Sequence, residues 1–112
     1  MKHYALLFYP TRELTPEEQD RRRVEIANWV KQVQEMGLTL DPRVLGESSA
    51  VLPEAISRNG AGPRLTNIVF FDAPSQDEAV NVARIHPGLH YGVIVDVREW
   101  SVPQPAAAAT TR

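Results

Sequence analysis

The side chains best placed to do chemistry in this 112-residue chain cluster between Arg84 and Arg98. His86 and His90 stand four residues apart around a Pro-Gly break, with Arg84 before them and Tyr91 after. A helix ending there sets His86 against free backbone carbonyls, which favour the protonated ring. With Arg84 the two histidines would line a pocket for a small anion. The plainer alternative is that His86 caps a helix and His90 is merely exposed, since a histidine without a matched acid seldom acts as a catalyst. Two histidines on an irregular loop lack the ligand number and geometry of a metal centre, so no metal is expected. Asp96 and Arg98 share one face of an extended strand. On a buried face such charges require a ligand, or they form a structural ion pair across strands or across a two-fold axis. Phe8 and Trp29, with Tyr4 and Phe70, would either wall an apolar pocket or fill a core.

Other chemistries find no support in the residues. There is no Ser-His-Asp set, no phosphate-cradling glycine loop and no nucleotide fingerprint. Asn59-Gly60-Ala61-Gly62 is turn chemistry, because no capped helix follows it. No cofactor is implied. The 12 basic and 14 acidic side chains leave a net charge of -2, so no field gathers phosphates or an anionic membrane, and nucleic acid is not expected as a partner. Cysteine is absent, which removes disulfides and thiolate metal sites. No apolar run reaches the ~18 residues of a membrane span, and the start MKHYALLFYP has too short an apolar core for a secretion signal. A soluble, cytoplasmic protein is the expectation.

The elements that must hold the candidate residues follow from pattern. HYALLFY, residues 3 to 9, is apolar on both parities and is stopped by Pro10, so it reads as a strand covered on both faces. Thr15, Pro16 and Glu18 form a capping box with proline in the first helical position. The helix they open carries Ile26, Trp29, Val30, Val33 and Met36 at helical spacing and closes at Gly37. Its Arg21 to Arg23 run reads as a solvated arc. Leu38 to Gly46 is extended, with Pro42 marking an edge, and Ser49 to Ile56 reads as a further weak strand. The Gly-rich stretch 58 to 63 then closes a hairpin into Thr66 to Asp72, again apolar on both parities. Ser75 and Glu78 repeat the reciprocal cap, opening a helix at Gln76 that Pro87 and Gly88 stop at His86. The last strand puts Tyr91, Val93, Val95 and Val97 on one face and Gly92, Ile94, Asp96 and Arg98 on the other. Residues 101 to 112 have no periodic apolar face and read as a flexible C-terminal tail.

This order is the split βαβ, ferredoxin-like arrangement of the α+β class: one domain over residues 1 to 100, an antiparallel sheet with two helices on one face. Two helices cover one side of a sheet that is apolar on both. A second copy packing on the bare face, a homodimer, is the physical consequence.

The opening MKHYALLFY, the helix ending EMG and the segment SQDEAVNVARIHPGLHYGVIVDVREW resemble the YCII-related, DGPF-type family of small dimeric α/β-barrel proteins. The likeness covers about residues 1 to 100. The Asp-Gly-Pro-Phe motif that names one branch has no counterpart in SRNGAGPRLTNIVFFDAPS. The resemblance implies a ferredoxin-like subunit that pairs through its sheet, and a fold relationship to small barrel isomerases and monooxygenases. A His-Asp pair proposed for some YCII-type relatives is not reproduced, since its first-helix position falls near Ile26 and the residue before Pro87 is His86.

Three readings of function stand side by side. The first is a homodimeric module binding a small organic ligand between sheet and helices, with Arg84, Arg98, Tyr91, Trp29 and Phe8 as lining residues. The second is a cofactor-independent enzyme, an isomerase or monooxygenase, with His86 or His90 as base and Asp96 or Arg98 orienting the substrate. The third is a structural or regulatory partner protein. Whether the chain is an enzyme is left open by the residues.

Overall fold

Both parities of the first apolar run are used. In the computed structural model, which describes residues 1–53 and 64–104, this run is β1 (Lys2–Pro10) and lies inside a four-stranded sheet. β3 (Asn67–Ala73) flanks it on one side and β4 (Val93–Glu99) on the other, both antiparallel, in registers that set Leu7 opposite Ile68 and Asp96. The short β2 (Asp41–Val44) adds antiparallel to the far side of β3, giving the order β2-β3-β1-β4. That strand carries Pro42, which belongs at an edge because it has no N–H for the ladder. Strand order and helix placement agree with the ferredoxin-like class expected from the sequence.

Alternation then divides the sheet into two unlike faces. Tyr4, Leu6 and Phe8, with Val69, Phe71 and Ala73, are buried beneath the helices. α1 (Pro16–Glu35) contributes Trp29 and Val33 to this core, and α2 (Gln76–Arg84) contributes Ala79, Val82 and Ala83. On the opposite face Leu7, Ile68 and Phe70 remain half-buried and Ile94 is exposed, with no helix of the described residues packed over them. His3 and Trp100 stack at that face with ring centroids 4.8 Å apart, and Phe70 meets Trp100 edge-on.

The helix ends follow the sequence signals with one exception. At α1 both halves of the box form: the Thr15 hydroxyl accepts from the Glu18 N–H, and the Glu18 carboxylate accepts from the Thr15 N–H. Arg12 grips the same carboxylate through two nitrogens at 3.1 and 3.0 Å. Gly37 exits at φ +86°, a conformation that side chains resist. At α2 Ser75 accepts from Glu78 N–H, but the return bond expected from Glu78 is not made.

Three further expectations are corrected. Ser49 to Pro53 is not a strand, and the rest of that proposed element and its Gly-rich turn lie outside the described residues. The antiparallel neighbour of β3 on that side is β2 instead. Between α2 and β4 the chain makes a 3-10 turn over Pro87–Tyr91, so the last strand begins at Val93 rather than Tyr91. Ser101 to Gln104 are exposed and irregular; the remainder of the tail is outside the described residues. Among the described residues no helix is long and apolar enough to cross a membrane.

One side chain joins the helices. The indole N–H of Trp29 donates to the Val82 carbonyl at 3.0 Å, in the last turn of α2, where helix carbonyls lack an internal donor. His86, whose N–H would have served that carbonyl in a longer helix, donates to Ala83 instead. Trp29→Phe should therefore destabilise the fold by about 2–3 kcal/mol, combining a stranded buried carbonyl with lost ring volume. Chemical denaturation at pH 7 measures this, and a loss under about 0.5 kcal/mol, the usual limit for surface substitutions, would contradict the assigned joint.

Candidate functional site

The Pro-Gly break sends the chain away from α2 and folds His86 inward. The residue is only 6% exposed, the one buried polar or charged residue among those described. It lies between Phe8 and Trp29, with ring centroids at 4.7 and 4.6 Å and the Trp29 contact edge-on. Nδ1 accepts a hydrogen bond from Gly88 N–H at 2.9 Å. A Cβ at residue 88 would sit 2.9 Å from that nitrogen, so glycine is required by the closeness of the ring.

That bond selects the tautomer. A nitrogen that accepts carries no proton, so in the neutral ring the proton is on Nε2. His86 is neutral: burial, and second the charge of Arg22, push its pKa down to about 4. The expectation of an imidazolium favoured by helix carbonyls is thus reversed, because loss of hydration outweighs a helix end's field. His86 does act as a cap, but for the 3-10 turn that follows it. Nε2 has no partner among the described residues, and as the protonated nitrogen it offers a donor rather than a base.

His86 lines a cavity of about 270 Å³ between α1 and the sheet. Phe8, Ile26, Trp29, Val30, Val69 and Val93 make its apolar walls. Its polar lining among the described residues is Arg22, Gln34, Thr66, Asn67 and His86, with no carboxylate. Arg22 has a buried Nε without a hydrogen-bond partner among the described residues. A wider, more polar hollow of about 660 Å³ adjoins it, sharing Pro10, Arg22, Ile26 and Val93. The outer hollow is rimmed by charges that mostly answer one another. Arg12 pairs with Glu18 and Arg23 with Asp20, and the Glu18 carboxyl is held down to about 2, chiefly by Arg12. Tyr91 borders this hollow and donates to Glu25 at 2.6 Å, a bond that holds its pKa above the ordinary value.

The residues singled out from sequence are therefore dispersed. His86, Phe8 and Trp29 meet at the inner cavity, and Tyr91 stands at the outer hollow. Arg84 and His90 are exposed and line neither. Asp96 and Arg98 lie on the helix-free face, where Arg98 Nε donates to Asp96 at 2.9 Å within the same strand. The sheet separates them from His86, so His86 is paired with neither; the His-Asp pair that does form joins two other residues, His3 Nδ1 and Asp72 at 2.6 Å, both exposed near one end of the β1–β3 ladder. Among the described residues no group of three or more His, Asp or Glu side chains is gathered as a metal site.

Arg22 departs from the solvated arc expected for Arg21 to Arg23. Residues 22, 26, 29 and 33 fall on one stripe at i, i+4, i+7 and i+11, so helical spacing already set this arginine beside the buried Trp29 and Val33.

No protein-family model matches the chain, and no curated protein matches it. Among solved structures it is similar to the Arabidopsis thaliana protein At3g17210, known from an ensemble refinement of its crystal structure. That match has 14% identity and a TM-score of 0.49, over 93% of this chain and 97% of the other.

The buried neutral imidazole sets a pH dependence. Its folded pKa of about 4 lies below the ordinary 6.5, so between those values the unfolded chain binds the proton more readily. Stability is full above pH 6.5 and is lost as pH falls towards 4, by on the order of 3 kcal/mol. The Glu18 contribution is lost in a separate window, from its ordinary 4.5 down through about 2. Denaturation at pH 7, 5.5 and 4.5 should show the first slope in the native chain and its absence in His86→Phe. A native profile as flat as the variant's over that range would contradict the buried neutral ring.

Proposed function

We propose that this chain is a small-molecule binding module whose site is the cavity between α1 and the sheet. The supporting observation is the pairing, at one cavity, of a buried imidazole whose Nε2–H is left over by the Gly88 bond with a buried Arg22 Nε that has no partner among the described residues. Buried polar groups in folded proteins are nearly always satisfied, and an occupant that accepts hydrogen bonds would satisfy both. Trp29 and Phe8 wall the cavity without filling it.

The module works as a homodimer through the helix-free sheet face. Leu7, Ile68, Phe70 and Ile94 form an apolar strip there that a second copy would cover. The sequence resemblance to the YCII-related group of dimeric α/β-barrel proteins agrees with this reading. A general base at His86 finds less support, because the proton on Nε2 is held there by the Gly88 bond on the other side of the ring.

Two measurements test these statements. In a thermal-shift screen of small aromatic acids and lactones, at least one compound should raise Tm. At a hundredfold excess over Kd the gain is about 2.7 kcal/mol. Val30→Phe, which fills the cavity from α1, should remove that gain. A screen without a hit, or a gain that survives Val30→Phe, would sink the site. In sedimentation at micromolar concentration the native chain should run as a dimer and Leu7→Arg as a monomer; a native monomer would refute the pairing.

A further inference from the structure

We propose that the occupant of the inner cavity is an aromatic monoanion, a one- or two-ring apolar body bearing a carboxylate or equivalent oxyanion received by Arg22 and by His86 Nε2–H. This rests on the cleft being a ligand site and names what it takes.

Charge decides the sign. Among the described residues Arg22 is the only ionised side chain on the cavity wall, since they bring no carboxylate to the lining and His86 is neutral. Of the arginines near it, Arg12 is answered by Glu18 and Arg23 by Asp20, whereas Arg22, which unlike the exposed Arg21 lines the cavity, has no carboxylate partner among the described residues. A partly desolvated guanidinium beside an apolar cavity gains most from an anion, whose oxygens match its planar donors. An ammonium there would meet like charge and find only amide and hydroxyl oxygens to accept from it.

Geometry decides the shape. His86 presents a second donor at the same cavity, rigidly, because Gly88 N–H holds one ring nitrogen while Phe8, tilted, and Trp29, edge-on, pack against the ring. The cavity's volume, about 270 Å³, is near the lower end of ligand pockets and suits one or two fused rings rather than a long chain. Flat aromatic walls favour a flat body. Arg22 also borders the outer hollow, so the oxyanion is seated at the boundary, with the rings inward and the charge near water.

An isosteric trio tests the assignment by calorimetry on the full chain: 2-naphthoate, 2-naphthamide and 2-naphthylmethylammonium. Naphthoate should bind at least tenfold more tightly than the amide, and the ammonium should not bind. Arg22→Met, which keeps the stem, should weaken naphthoate by roughly tenfold to a hundredfold while leaving the amide nearly unchanged. His86→Phe should weaken naphthoate by a smaller factor. The acid-to-amide ratio is taken within each variant, so a variant of lower stability still reports it. Amide or ammonium binding as tight as naphthoate, or an unchanged ratio in Arg22→Met, would overturn the anion assignment and leave the cleft standing. Binding by none of the three would remove the cleft reading and this inference together.

Discussion

Trp29 is the joint on which the described structure turns. Its indole N–H closes the carbonyl that α2 leaves open at Val82, so a bond that is usually made within one helix is made between two. The same ring stands edge-on to His86 and walls the cavity beside it. Helix spacing, imidazole orientation and cavity shape therefore share one side chain. In a domain of this size, where a few kcal/mol is a large part of total stability, such sharing makes site and core inseparable.

The sheet imposes the second constraint. With a period of two, each strand divides its side chains between a face under the helices and a face without them. His86 belongs to the first and the Asp96–Arg98 pair to the second. Chemistry that joins these groups is closed to one copy of the chain, however near they stand in sequence. What remains together among the described residues is a site without a carboxylate: an arginine, a neutral imidazole, and amide and hydroxyl groups around an apolar hollow.

Burial governs the electrostatics more than sequence neighbours do. At an exposed helix end His86 would gain from the carbonyl field. Enclosed by Phe8 and Trp29 it loses water, and that loss dominates, with Arg22 adding to it. Glu18 shows the contrary case, a surface carboxylate whose bonds to Arg12 and to the Thr15 N–H keep it ionised well into acid.

Local signals in the chain were sufficient for most of the elements. Pro16 after Thr15, Ser75 before Gln76, and the Pro87-Gly88 break set helix ends by short-range sterics and hydrogen bonds. The doubled apolar parity of β1 and β3 announced inner strands. Arg22 was legible too, since it repeats on the stripe of Ile26, Trp29 and Val33, although its neighbours Arg21 and Arg23 disguise it. The 3-10 turn before β4 was not legible, because its opening bond runs to a side chain, His86 Nδ1, whose position depends on packing. Nor was the charge state of His86, the tautomer, or the separation of Asp96 from it by the sheet. Those are set by which residues distant in sequence come to surround a group, and desolvation has no representation in residue spacing: the letters determined the strands and helices, and only their packing decided which polar groups would lose water together.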